Sequence, residues 1–346
     1  MKSNKRQLMA DAKFYEAYSR FDSKLNRYET WSEATGRVMS MHRNYLSDVM
    51  SPELSTLLDE VEQAYASKQV LGAQRALQFG GDQLIKHQAR MYNCSSTYAD
   101  RPEVFGESFY LMLCGCGVGF SVQKHHTAKL PAIHKRNNDS VEFVVPDSIE
   151  GWAQAADVLM SSFFVGGGKH PEYEGKKIYF NLEEIRPKGA FISGGFKAPG
   201  PEPLRLALDK MEALIKTELA AGRRTLRPIV VYDLIMFIAD AVISGGVRRS
   251  ATICLFSKDD NEMMKAKTGD WYITNQQRGR SNNSAVLIRD ETTFDELQEI
   301  MKSVKDVGEP GFIFSDDLEA LYNPCVEIGM RGYDDEGKSG FQFCNL

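Results

Sequence analysis

The stretch Ile229–Ile243 constrains the fold of this 346-residue chain more than any other. It is apolar all round, interrupted only by Asp233 and Asp240. It falls short of the ~20 apolar residues that a bilayer span requires, and a helix without a polar face must be buried on every side. Gly245-Gly246 ends it, and Val247–Phe256 then reads as a strand. A long polar segment, Trp271–Ser284, precedes a strand at Ala285–Arg289, a helix at Phe294–Val307 and a strand at Gly311–Phe314. Strands alternating with helices predict βα units and an α/β core.

Upstream the pattern differs. Residues 1–90 read as a helical layer. Phe14, Tyr18, Phe21, Leu25 and Tyr28 form a stripe at three- and four-residue spacing, and Ser51-Pro52 opens a further helix. Its basic residues (Arg20, Lys24, Arg27, Arg37, Arg43) read as a solvated face with ion pairs, not a phosphate site. A net charge of -5 gives no reason to expect nucleic acid.

From Met91 to Thr97 the content is strand-like and carries Cys94, and a helix at Val104–Leu113 runs into Cys114–Ser121. Gly115, Gly117 and Gly119 stand at alternate positions there, so another backbone or a ligand can approach where no Cβ intervenes. The stretch lacks both the Walker Gly-Lys-Ser/Thr and the third glycine of a dinucleotide fingerprint. Cys114 and Cys116 have no second pair at zinc-ribbon spacing, and His125, His126 and His134 read as a polar surface loop, so no metal is expected. Between 141 and 228 lie strands at Val141–Val145 and Ile178–Leu182, a helix capped by Ser148, a Gly/Pro-rich loop at Ser193–Pro203 and a helix at Leu204–Leu219. The opening Met1–Arg6 leads into a charged amphipathic segment, not a leader. Six cysteines in a chain of this kind predict a reducing cytoplasm, where cysteines that matter are catalytic or metal-bound.

The densest chemistry lies in Asn323-Pro-Cys-Val-Glu-Ile328. Pro324 pushes Asn323 out of the helical region. In extended backbone alternate side chains share a face, which gathers an amide, a thiol and a carboxylate (Asn323, Cys325, Glu327) around one volume. By itself this also fits a strand end with a buried cysteine.

Taken together the chain resembles the adenosylcobalamin-dependent (class II) ribonucleotide reductases, in particular the monomeric ribonucleoside-triphosphate reductase type. The matching stretches, in the family's order, are Tyr92-Asn-Cys-Ser, Cys116–Ser121, Ser148–Trp152, Gly200–Leu204, Gly245–Ala251, Ser281–Ser284, Gly308–Gly311, Asn323–Ile328 and Cys344–Leu346. Each is weak alone; their order is specific, and they cover most of the chain beyond residue 70. The resemblance implies an α/β fold, the first half of a ten-stranded α/β barrel with the radical cysteine on a finger loop. The implied division is a helical layer at 1–90 and a catalytic half-barrel at 91–346, including an insertion or effector segment at 141–228 and the finger loop at 315–346.

It further implies Cys325 as the thiyl-radical cysteine, Asn323 and Glu327 as the groups that hold and deprotonate the ribose, and Cys94 with Cys344 as the redox-active disulfide pair. Asn93, Ser95, Gly117 and Val118 would line the substrate. Gln277, Arg278, Asn282 and Asn283 would form an effector loop. The implied cofactor is adenosylcobalamin. The implied partners are a ribonucleotide substrate, a dNTP or ATP effector and a thioredoxin-like reductant, with no nucleic acid and no membrane. Since the family's remaining strands would follow Leu346, a complementary C-terminal reductase fragment is expected from a split or interrupted gene, for which a phage origin in a host cytoplasm would suit. A class I large-subunit fragment and a non-catalytic nucleotide-binding remnant are the alternatives.

Overall fold

The computed structural model describes residues 2–191, 197–243 and 251–345. Two compact units divide the chain, Met1–Asn93 with Asn345–Leu346, and Cys94–Cys344. In the first, α1 (Lys2–Ala17), α2 (Trp31–Tyr45) and α3 (Pro52–Ala66) gather Phe14, Val38, Met39, Leu58, Tyr65 and Leu77 into a core. Thr30 and Glu33 close a capping box on α2, and Ser51 caps α3 ahead of Pro52. The basic residues are largely paired, Arg37 with Glu29 at 2.8 Å, Arg27 with Glu33 at 2.6 Å, and Arg43 with both Asp59 and Glu62.

The apolar stripe stops sooner than its spacing predicts. Phe21 pairs with Tyr28 across a hairpin of two-residue strands, and both are exposed together with Leu25. The Asp22 carboxylate accepts from the backbone N–H groups of Lys24 and Leu25, and Asn26 takes a left-handed φ of 50°. A side chain that bonds to nearby backbone offers the chain an alternative to helix, and here it wins.

The second unit is built on a six-stranded sheet: β1 (Cys94–Tyr98), β2 (Gly117–Ser121), β3 (Thr252–Ser257), β4 (Ser281–Ile288), β5 (Gly311–Ser315) and β6 (Phe341–Cys344). The spatial order is β6-β1-β2-β3-β4-β5. Strands β1 to β5 are parallel in sequence order, while β6 runs antiparallel to β1. Both faces of β1, β2 and almost all of β3 are buried, as parallel strands under helical cover require. The helices are α4 (Val104–Leu113), α5 (Ile149–Phe163), α6 (Glu202–Ala220), α7 (Pro228–Ile243) and α8 (Phe294–Val307). Helix α7 is buried nearly throughout, as its composition dictates. Helices α4 and α5 meet at Gly106, where a Cβ would lie 2.2 Å from the Asp157 carboxylate. Asp157 accepts from the Gly106 N–H and from Lys169, each bond compensating a buried charge. A small parallel pair, Ser140–Val144 with Lys177–Asn181, stands apart from the main sheet.

Among the described residues the sheet stays open, with β5 and β6 as its edges. Phe312 and Phe314 on one edge and Phe343 on the other are over one-third exposed. The strand predicted at Ala285 begins at Ser281, because Ser281–Ser284 register against Thr252–Leu255 despite their polarity. Most of the Gly245–Ala251 motif and of the predicted strand start at Val247, and part of the Ser193–Pro203 loop, lie outside the described residues. Among the described residues no helix is long and apolar enough to cross a membrane.

Candidate active site

Between β5 and β6 the chain doubles back over the sheet. Leu321–Tyr322 pairs antiparallel with Gly329–Met330, and residues 323–328 form the tip of this hairpin. Its approach depends on glycine. A Cβ at Gly119 would sit 2.0 Å from the Tyr322 carbonyl oxygen, and one at Gly117 3.2 Å from Pro324 and 3.3 Å from the Cys94 sulfur. The alternate glycines of β2 thus admit a second backbone, one of the two possibilities their spacing raised. Tyr322 also packs on Ile253, Leu255 and Val286, which fixes the hairpin to the same face.

Six further contacts secure the base of the loop. The Tyr98 hydroxyl donates to the Glu319 carbonyl at 2.6 Å and accepts from Gly332 N–H, while the Gln123 amide donates to the Leu318 carbonyl. The Glu319 carboxylate lies 3.0 Å from His126 Nε2 and 2.9 Å from His125 Nε2, and accepts from the Tyr333 hydroxyl. The polar surface loop read from the sequence is therefore corrected: His126 is fully buried, and burial pulls its pKa down to about 4 against the pull of Glu319. Tyr98 and Glu319 carried no sequence signal.

The tip brings the five predicted catalytic residues together. The Cys94 and Cys325 sulfurs are 3.8 Å apart. Cys94, Cys325 and Glu327 place their sulfur and oxygen atoms within 4.8 Å of one another. The Cys344 thiol donates to Glu327 Oε1 at 3.2 Å. Cys344 is also the register partner of Cys94 across the antiparallel pair. Such partners have Cα atoms about 4.5–5.5 Å apart, inside the ~4.4–6.8 Å that a disulfide spans. All six cysteines are free thiols.

The three thiols differ in setting. Burial and then the neighbouring Cys325 push the Cys94 thiol up to about 12, and burial followed by its bond to Glu327 pushes Cys344 up to about 11. Cys325 at the tip is exposed. Partial burial alone would raise the Glu327 carboxyl, but its own backbone N–H, the nearby Asn323 amide and the thiols of Cys344 and Cys325 hold it below the usual range. Glu327 is thus an anion at neutral pH, positioned to accept a proton. Asn323 is buried, and its Oδ1 accepts from Ile328 N–H at 3.1 Å while its Nδ2 meets no partner. Val326 adopts φ 63°, a conformation rare for a β-branched residue and typical of strained functional turns.

The candidate substrate residues divide. Gly117 lies beside the thiols, and the Val118 N–H is bonded to the Ala251 carbonyl. Asn93 immediately precedes Cys94. Strand alternation turns Ser95 to the face away from Cys94, where its hydroxyl donates to the Gly117 carbonyl. Ser96, one residue on, shares the face of Cys94 and has a buried hydroxyl without a partner.

The residues expected in an effector loop are held by the fold. Arg278 grips Asp233 of α7 with two bonds at 2.8 and 2.6 Å and Gln277 adds a third, because a carboxylate in an apolar helix needs partners. Asn283 is buried, with Oδ1 accepting from Ser281. Asn282 is exposed and shares the face of the thiols through the register Gly119–Ile253–Asn282.

No family model matches the chain. Its sequence is 28% identical over 381 aligned positions to the adenosylcobalamin-dependent ribonucleoside-triphosphate reductase of Lactobacillus leichmannii, covering 93% of this chain and 50% of that protein. The like-named proteins of Lactobacillus acidophilus and Levilactobacillus brevis are each 25% identical with the same coverage. The chain is similar to the class II ribonucleotide reductases. A crystal structure of a B12-dependent (class II) ribonucleotide reductase superimposes with a TM-score of 0.76 at 23% identity, over 92% of this chain and 53% of that one. That likeness shows an α/β fold. The chain spans about half the length of the curated relatives it matches.

Proposed function

We propose that this chain carries the thiol chemistry of ribonucleotide reduction, with ribonucleoside triphosphates as the favoured substrate class. The observation that supports it most is the convergence of Cys94, Cys325 and Glu327 within 4.8 Å, with Cys344 on Glu327. Adenosylcobalamin, when bound, supplies the hydrogen-abstracting radical. The chain's residues suit it, because Cys325 is the exposed thiol on a projecting strained turn and Val326 beside it is exposed too, so these two would face the cofactor.

Cys325, as a thiyl, takes the ribose 3′-hydrogen and returns a hydrogen at the end. Glu327 accepts the 3′-hydroxyl proton, which eases departure of the 2′-hydroxyl as water. Asn323 Nδ2, near Glu327 and without a formed hydrogen bond, is the donor placed to hold the ribose. Cys94 and Cys344 give two electrons and two protons and finish as a disulfide, so ribonucleotide and dithiol become deoxyribonucleotide, disulfide and water. Because Glu327 lies below its ordinary value of 4.5, the base stays competent down to that pH.

The open sheet edges with exposed Phe312, Phe314 and Phe343 favour completion of the ten-stranded barrel by further reductase sequence, on this polypeptide or a complementary one. A thioredoxin-like reductant would reopen the disulfide. Residues 141–228 would serve as the insertion, with a dNTP or ATP effector reaching the site through Asn282. A cytoplasmic setting suits free thiols. The test is deoxyribonucleotide formation from ribonucleoside triphosphate and adenosylcobalamin by this chain with the remainder of the reductase. Activity lost in Cys325→Ser, in a protein with unchanged circular dichroism, supports the reading; retained turnover ends it.

A further inference from the structure

Just past the end of β2 the fold sets two adjacent histidines, His125 and His126, against Glu319, which lies between β5 and the hairpin. The sequence shows no metal-ligand spacing here, because the third residue comes from 193 positions away. Both Nε2 atoms face one carboxylate, His125 at 2.9 Å from Oε1 and His126 at 3.0 Å from Oε2. The ring centres are 4.0 Å apart, and the three ligating atoms lie within 4.8 Å of one another. Tetrahedral zinc, with bonds of about 2.0–2.2 Å to nitrogen and oxygen, sets its ligand atoms about 3.4 Å apart. The two nitrogen–oxygen gaps need widen by only roughly half an ångström to admit it.

The surroundings hold these groups in place. His126 is fully buried, and its Nδ1 lies 2.8 Å from Ser121 Oγ, which fixes the ring with Nε2 turned to Glu319. The Tyr333 hydroxyl donates to Glu319 Oε2 at 3.0 Å. Metal-binding imidazoles and carboxylates are oriented by outer partners of this kind. Among the described ion pairs Glu319 has no lysine or arginine, so its charge is met by the two imidazoles and that hydroxyl. The His125 side chain is 40% exposed, which gives an ion a way in and leaves room for water.

We propose that His125 Nε2, His126 Nε2 and Glu319 bind a divalent transition metal of the zinc class, with water as the fourth ligand on the exposed side of His125. Imidazole nitrogen with a single carboxylate suits zinc, whereas magnesium and calcium take oxygen sets. Without metal, protons lie between the rings and Glu319. The ion replaces them, and each neutral ring keeps its one proton on Nδ1, with Ser121 as the partner of His126. Bound there, it fastens the segment leading into the Cys325 hairpin to the end of β2. The site is independent of the reduction chemistry and stands or falls without it.

Titration of the full, untagged chain with Zn²⁺ by calorimetry and with Co²⁺ by absorption, free of nucleotide and cobalamin, tests it. One equivalent should bind. Co²⁺ on nitrogen and oxygen should give visible ligand-field bands without the near-ultraviolet charge-transfer band of a thiolate, and that spectrum should persist in Cys94→Ser and Cys325→Ser. His125→Ala, at an exposed position, should weaken binding by at least about a hundredfold, more than the loss of an outer partner costs. His125→Cys should keep the metal and add the thiolate band, which a merely structural histidine would not do. Zn²⁺ should raise the unfolding temperature of the parent but not of His125→Ala. Absence of saturable binding up to about 1 mM overturns the proposal. So does an affinity unchanged in His125→Ala, or a thiolate band in the parent together with no binding in Cys325→Ser, which would put the ion on the cysteines.

Discussion

Residues 271–283 and residues 321–330 both carry groups able to handle a nucleotide, the first a polar run and the second a mostly apolar one around Asn323, Cys325 and Glu327. Folded, they differ in what remains unmet. In the first, Arg278 and Gln277 are tied to Asp233, Tyr232 donates to Arg278 and shares a hydroxyl contact with Ser281, and the buried Lys267 reaches Glu309 and the Ser281 carbonyl. In the second, Cys325 and Glu327 face outward, Asn323 Nδ2 has no partner and Val326 is strained. The first arrangement holds a fold together; the second leaves an amide nitrogen unmet and a backbone strained. Polar groups at a structural site satisfy one another, and those at a reactive site are left short.

That contrast can be broken by substitution. The largest effect should come from Cys325→Ser, with deoxyribonucleotide formation by the assembled reductase falling to background while urea unfolding stays within about 0.5 kcal/mol of the parent. Arg278→Ala should do the reverse. It strips the partner from a carboxylate in an apolar helix and should lower unfolding free energy by about 3–5 kcal/mol, measured in urea. A loss below about 1 kcal/mol would mean that the segment is not the structural tie described. Gly119→Ala comes next. Its methyl would collide with the Tyr322 carbonyl, and displacement of the hairpin should cost about 1–3 kcal/mol and open Cys94 to alkylation.

Asn323→Ala should cost only about 1 kcal/mol, since one bond to Ile328 N–H is lost while the amide nitrogen had none. Its effect on turnover should be far larger. The smallest contrast lies among the thiols. Iodoacetamide at pH 8 should label Cys325 first, and labelling of Cys94 and Cys344 should quicken as pH rises toward their values of about 12 and 11, because the thiolate is the nucleophile. Equal rates at the three positions would contradict the burial described.

Much of this was legible in the sequence. Helix α7 announces itself by composition, and α4 and α8 fall on the predicted residues. The glycines of β2 signal the close approach that the hairpin makes, whereas Asn323, Cys325 and Glu327 are gathered by a turn with Val326 at φ 63° and not by the extended backbone expected of them. What escaped is set by distant partners. Ser281–Ser284 form strand because Thr252–Leu255 offer a ladder, which no local propensity reveals. Ser96 and not Ser95 shares the face of Cys94, because a one-residue step turns a side chain to the other face. His126 is buried because Glu319, 193 residues away, meets it.

The central claim is that Cys94 and Cys344, not Cys325, are the electron source. Single turnover of the assembled protein with ribonucleoside triphosphate and adenosylcobalamin, without external reductant, tests it directly when followed by acid quench, alkylation and peptide mapping. The account predicts deoxyribonucleotide in amount matching a Cys94–Cys344 disulfide, with Cys325 recovered as an alkylated thiol. A Cys94–Cys325 disulfide, or product formed while Cys94 and Cys344 both remain thiols, would contradict it.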